Sequence, residues 1–147
     1  MSYTLSRLSI LIVFAWLLAV PAYAAQQQTV GNFDIHYSAF NSTFLTPAIA
    51  KANDIERSRF NGVVNISVMD TRQATPTAVP VEISGIANNL LDARMTLKFR
   101  QVKEGDSIYY LAEVPFRDNQ VINFQIAVKY GKELNTVVKF KQHFYTD

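Results

Sequence analysis

Residues 121–130, Val-Ile-Asn-Phe-Gln-Ile-Ala-Val-Lys-Tyr, carry the alternating pattern on which the fold class rests. Ile122, Phe124, Ile126 and Val128 share one face of an extended chain, while Asn123, Gln125 and Lys129 share the other. Side chains of a strand point alternately to opposite faces, so such a run buries one side and wets the other. A helix would scatter the same four apolar residues around its axis.

The same period extends outward on both sides. Tyr130-Gly131-Lys132-Glu133 reads as a turn into a last strand, where Val138, Phe140 and Phe144 oppose Lys139, Lys141 and His143. Upstream, Ser107 to Phe116 sets Ile108, Tyr110, Ala112 and Val114 on one face and ends near Pro115 and Asp118-Asn119. Lys103-Glu104-Gly105-Asp106 is a short hairpin turn, preceded by Met95, Leu97 and Phe99 alternating with Arg94, Thr96, Lys98 and Arg100. Val79, Val81 and Ile83 form a further strand closed by Gly85, which marks a bulge or bend. Val64, Ile66 and Val68 define the strand Gly62 to Met69, and a turn-rich piece, Asp70 to Thr77, follows it. The first strand spans about Val30 to Phe40, with Phe33, Ile35, Tyr37 and Ala39 opposite Asp34, His36 and Ser38.

About seven strands, each with one apolar face, cannot bury themselves in a single layer. Two antiparallel sheets closing face to face can, and the turn spacing of about 8 to 12 residues is that of an immunoglobulin-like β-sandwich. A small closed barrel is the alternative. Cysteine is absent, so the inter-sheet disulfide of antibody domains is missing and stability rests on packing. A single domain of this length buries roughly two-thirds of its unfolded surface, which is enough for a core.

One segment breaks the alternation. Thr46 is a helix cap, Pro47 suits the first helical position, Ala48-Ile49-Ala50-Lys51-Ala52 favours helix, and Asn53 stops it. This short helix is expected to join the first two strands across an end of the sandwich, with Ile49 and Ile55 covering an open core edge. The stretch leading into it, Asn41-Ser42-Thr43-Phe44-Leu45, is the candidate binding loop, because loops at the ends of sandwiches carry binding surfaces. Its amide and hydroxyls can hydrogen-bond a ligand, and Phe44 with Leu45 offers apolar area. A local reading competes: Asn, Ser and Thr bond neighbouring backbone in turns, and Phe44 with Leu45 plugs the end of the core.

The N-terminus reads as a cleavable secretory signal peptide, residues 1–24. Arg7 precedes an apolar run from Ile10 to Val20, followed by Pro21-Ala22-Tyr23-Ala24 with small residues at the cleavage positions. The run is shorter than the roughly 20 apolar residues of a bilayer span. Residues 25–147 are therefore expected as a soluble periplasmic domain, with no stable membrane insertion after cleavage. Removing the signal takes Arg7 and leaves thirteen Lys and Arg against twelve Asp and Glu. A nearly neutral domain without a basic block gives nucleic acid no electrostatic hold.

Catalytic and metal chemistry find little support. The chain has two His and no Cys, a poor donor set for zinc or copper. His36 and His143 fall on the polar faces of the first and last strands, which lie side by side in some sandwiches; whether they meet is open. No Gly-x-Ser-x-Gly or phosphate-cradling Gly-rich loop occurs, and Ser42 and Thr43, six and seven residues from His36, do not specify a triad. No catalytic, cofactor-binding or metal-ligating residue is assigned. Tyr109 and Tyr145 fall on the less apolar faces, and two tyrosines do not define a patch.

The run His36-Tyr37-Ser38-Ala39-Phe40-Asn41-Ser42-Thr43-Phe44-Leu45-Thr46-Pro47, followed by Asn61-Gly62-Val63-Val64-Asn65-Ile66-Ser67-Val68, resembles a family of exported bacterial proteins known as a domain of unknown function, number forty-four twenty-six. The resemblance implies export and supplies no activity, cofactor or catalytic residue. The expected function is a non-enzymatic binding or accessory domain of the bacterial envelope, holding a protein, peptide or surface polymer. The alternatives are a structural or assembly factor that pairs an edge strand with another chain and, after it, a small hydrolase or metal carrier.

Overall fold

Strands occupy most of the chain that the computed structural model describes, residues 26–146. The expected signal peptide, residues 1–24, and its cleavage site lie outside the described residues. In chain order the strands are β1 (Gln26–Val30), β2 (Phe33–Asn41), β3 (Asn61–Asp70), β4 (Thr77–Ala78), β5 (Glu82–Asn89), β6 (Arg94–Leu97), β7 (Arg100–Glu104), β8 (Ser107–Pro115), β9 (Gln120–Tyr130) and β10 (Leu134–Phe144). A 3₁₀ turn (Ser42–Phe44) and one short helix, α1 (Pro47–Ala52), lie between β2 and β3. Two antiparallel sheets result. One runs β1-β2-β3-β8-β7 with β4 also on β3, and the other runs β10-β9-β5-β6. The pairings form two separate sheets, not the closed barrel considered as the alternative.

The faces read from the sequence are the faces observed. Ile122, Phe124, Ile126 and Val128 are each at most 1% exposed, and Ile35, Val64, Ile66 and Val114 join them in the same core. Aromatic rings knit the layer: Phe124 stacks on Phe140 at 4.9 Å between centroids, and Phe116 stacks on Phe144 at 4.6 Å. Such pairs add to burial that is worth roughly 1.5–3 kcal/mol for each large side chain. Tyr110 is buried with its hydroxyl satisfied, accepting from the Val81 N–H at 2.8 Å and from Gln101 Nε2 at 3.0 Å.

Several boundaries differ from the sequence reading, each for a physical reason. The expected first strand breaks at Gly31, whose φ of 57° is left-handed, and the polar run Gln26–Val30 folds back as β1. That run has no alternation to announce it. The expected strand from Arg94 to Arg100 divides, with β6 in one sheet and β7 in the other, because the chain changes sheets at Lys98-Phe99. Gly85 is neither bulge nor bend: it pairs in unbroken register with Ile126 and Leu97, and β5 continues to Asn89. A Cβ there would sit 3.1 Å from the Gln125 carbonyl oxygen and from Ile126 Cγ1, so glycine serves close packing of β5 on its neighbours.

The helix forms as read but packs elsewhere. Thr46 caps it by accepting from the Ile49 N–H at 3.2 Å, Pro47 opens it, and the Asn53 N–H closes it on the Ile49 carbonyl. It does not cover the edge of the main core. Ala50 and Ile55 pack with Val63, Phe40, Leu45 and Leu111 in a second, smaller cluster. Those strand residues alternate with the inward set of β2, β3 and β8, so the 42–60 connection lies over the outer face of the first sheet. Ile49, expected in that role, is 49% exposed, because the short helix turns Ala50 inward instead.

Candidate functional site

Strand register brings four segments to one end of the two sheets. Asn41 pairs with Gly62 and Asn61 with Pro115 in the first sheet, while Phe144 pairs with Gln120 and Asn89 with Ile122 in the second. The β2–β3 connection (42–60), the β5–β6 turn (90–93), the β8–β9 loop (116–119) and residues 145–146 therefore emerge together. Hydrogen bonds lace them: Asn41 Nδ2 donates to the Tyr145 carbonyl at 2.7 Å, and the Phe116 N–H donates to the Phe60 carbonyl at 2.9 Å. The Thr146 N–H donates to Asp118 Oδ1 at 2.9 Å, and this bond lowers the pKa of that carboxyl below its ordinary value.

The candidate loop lies at this end, and its residues divide in role. Ser42 is fully buried; its hydroxyl donates to the Ser58 carbonyl at 3.0 Å and accepts from the Ser58 N–H at 2.9 Å. Asn41 spends its amide on Tyr145, and Leu45 packs in the second cluster. The Leu45 and Thr43 carbonyls accept from Arg57, at 2.8 and 3.3 Å. Most of the loop's polar groups thus serve the fold. Phe44 corrects one expectation, since at 77% exposure it does not plug the core.

His36 and His143 do not come together. His36 faces outward from β2 between partners Gln27 and Ser67, and His143 faces outward from β10 in the other sheet. His143 stacks on Tyr145 at 4.3 Å, with its Nε2 at 2.6 Å from Asn119 Oδ1 and its Nδ1 at 3.2 Å from the Tyr145 hydroxyl. These contacts select the tautomer with the proton on Nε2. Of the two tyrosines placed on polar faces, Tyr145 is 49% exposed and Tyr109 is half-buried. Among the described residues, no three His, Asp or Glu side chains gather to hold a metal ion.

The sequence reading missed a cleft of roughly 650 Å³ at this end. Phe60, Met95, Pro115 and Phe116 give it an apolar floor, and Asn89, Arg117 and Gln120 stand at its polar side. Phe60 is half exposed, and the Arg59 guanidinium lies 5.2 Å from its ring centroid. Beside Asn89 the 90–93 turn is shaped by that residue's own side chain, whose Oδ1 accepts from the Leu91 and Ala93 N–H groups at 3.0 and 3.1 Å. Asp92 takes a left-handed φ of 59°, and Leu90 and Leu91 stand out at the tip, 76% and 90% exposed.

Of the seven exposed large apolar side chains among the described residues, five belong to loops of this end: Phe44, Phe60, Leu90, Leu91 and Tyr145. Exposed apolar residues scattered singly need no explanation, but a convergent set does. The legible signal was Asn88-Asn89-Leu90-Leu91-Asp92: two adjacent leucines inside a turn cannot both face a core.

Comparison with known proteins gives a family match over nearly all of the described residues. The family model described as domain of unknown function (DUF4426) matches residues 27–147. A crystal structure of a DUF4426 family protein from Pseudomonas aeruginosa is 33% identical, with a TM-score of 0.71 over 83% of this chain and 95% of that one. FetP of uropathogenic Escherichia coli strain F11, recombinantly expressed in the periplasm, shares the fold at a TM-score of 0.59 and 8% identity, over 83% of this chain and 94% of its own. Among curated proteins none matches the sequence.

Proposed function

The chain belongs to the DUF4426 family, a domain of unknown function, and from that premise we propose that it is an exported, immunoglobulin-like, non-enzymatic binding domain of the bacterial envelope that engages a protein or peptide at its loop end. The observation that carries the reading is the convergence of Phe44, Phe60, Leu90, Leu91 and Tyr145, drawn from three separate segments, on the end that holds the apolar cleft. Apolar area kept in water by loops on a rigid scaffold is the usual anatomy of a binding surface. The strand orders β2-β3-β8-β7 and β10-β9-β5 support the immunoglobulin-like description, since they follow the ABED and GFC orders of that sandwich. No helix among the described residues is long and apolar enough to cross a membrane.

Export and binding are tested separately. Intact-mass analysis of protein from the cell envelope should find a chain beginning at Ala25, and an uncleaved chain embedded in membrane would overturn export. Leu90→Ser combined with Leu91→Ser should leave the melting transition within roughly 0.5 kcal/mol of the parent, because both side chains are already in water. The same double variant should capture its stoichiometric envelope partner several-fold less well. Undiminished capture by the folded variant would rule out this end as the contact surface.

The assembly reading has one observation of its own. The edge strand β10 is 11 residues long and pairs only with β9 among the described residues. Lys139 and Lys141 project from it, the charged pattern by which sheet edges are kept from pairing. Binding at the loop end is therefore the reading preferred.

A further inference from the structure

The polar side-chain groups left unbonded beside the apolar cleft are donors. Asn89 Oδ1 is spent on the Leu91 and Ala93 N–H groups, and Gln120 Oε1 accepts from the Arg117 N–H at 2.8 Å. A backbone N–H can only donate, so each bond fixes which way its side-chain amide points. The side-chain atoms left with no bond at all are Asn89 Nδ2, Gln120 Nε2 and the Arg117 guanidinium, and all three are donors. The Phe60 carbonyl at the cleft already accepts from the Phe116 N–H at 2.9 Å. No carboxylate lines the cleft, and Arg117 has no ion-pair partner among the described residues. Asp118, its neighbour in sequence, is engaged by the Thr146 N–H.

An apolar floor beside free side-chain donors, one of them a guanidinium, is complementary to a group that is apolar at one point and accepts hydrogen bonds, preferably with negative charge, beside it. Resting on the binding reading above and naming its ligand, we infer that the cleft receives the C-terminal end of a peptide or protein whose last side chain is apolar. The terminal carboxylate meets Arg117, Gln120 Nε2 and Asn89 Nδ2, where a guanidinium and amides satisfy both oxygens by charge-assisted bonds. The last side chain lies on Phe60, Met95 and Phe116. Capture of a chain terminus by clustered donors is a recurrent mode of peptide recognition. A long acyl chain fits less well, because an open cleft whose floor leaves Phe60 half exposed would leave much of that chain in water. Leu90 and Leu91, next to Asn89, supply apolar area for residues preceding the terminus.

An array of heptapeptides varied at their last three positions, each made with a free C-terminal carboxylate and as the carboxamide, tests the inference with the purified 25–147 chain. Peptides with an apolar last residue should be selected, and amidation should weaken each of them at least tenfold. Arg117→Gln should bring the free acids down to the level of their carboxamides with an unchanged melting temperature, and Arg117→Lys should restore part of the difference. Equal binding of acid and amide, selection of charged last residues, or retention of oleate with no peptide bound would overturn it. If the array fails while the Leu90 and Leu91 variant still loses its envelope partner, the ligand chemistry proposed here falls and the binding end stands. If that variant also captures its partner normally, both fall.

Discussion

Phe124→Ala is expected to destabilise the protein by about 3 to 5 kcal/mol, whereas Gln125→Ala, one residue on, should change stability by no more than roughly 0.5 kcal/mol. Phe124 is 1% exposed at the centre of the aromatic layer, stacked on Phe140 at 4.9 Å and edge-on to Phe144 at 6.5 Å. Truncation removes the transfer energy of the ring and leaves a cavity that its two aromatic neighbours cannot collapse to fill. Gln125 points outward between Lys139 and Ile86 and loses only surface contacts. Urea denaturation of the two variants measures the difference. Equal midpoints would mean that β9 faces the other way, since a one-residue slip exchanges every inward and outward side chain.

Ser42→Ala is expected to cost about 1 to 3 kcal/mol, the range for leaving buried polar groups unpaired. The Ser42 hydroxyl both donates to and accepts from the backbone of Ser58, and its removal orphans an N–H and a carbonyl together. Thr43→Ala, on the exposed side of the same 3₁₀ turn, should stay within roughly 0.5 kcal/mol. Partner capture by the folded Ser42 variant should match the parent, because the residue is fully buried and has no surface to offer. A drop in capture at an unchanged denaturation midpoint would return Ser42 to the binding surface. The contrast separates the loop's architecture from the apolar residues beside it, which the sequence alone presented as one candidate site.

Legibility follows the range of the interaction involved. Alternation in β3, β8, β9 and β10 identified which side chains enter the core, because period two is local and survives any choice of strand partner. The cap at Thr46, the turn at Gly131 with φ of 51° and the hairpin at Gly105 with φ of 56° were equally local. β1 was not legible: Gln26-Gln27-Gln28 has no apolar period and is a strand only because β2 offers it an edge.

Local pattern was enough for the strand faces, the principal turns and the helix. Long-range packing assigned each strand to its sheet, and with that split β6 from β7 and separated His36 from His143. It also drew the 42–60 connection over Val63, Phe40 and Leu111 on the outer face of the first sheet. The cleft belongs to the same class of fact. Phe60, Asn89, Met95, Arg117 and Gln120 come from parts of the chain with no shared motif, and only the register of two antiparallel sheets ends them at one level. Periodicity states whether a side chain is turned inward or outward within its own strand. Whether a loop residue such as Leu91 is covered depends on what else reaches that end, a long-range property that no local pattern carries.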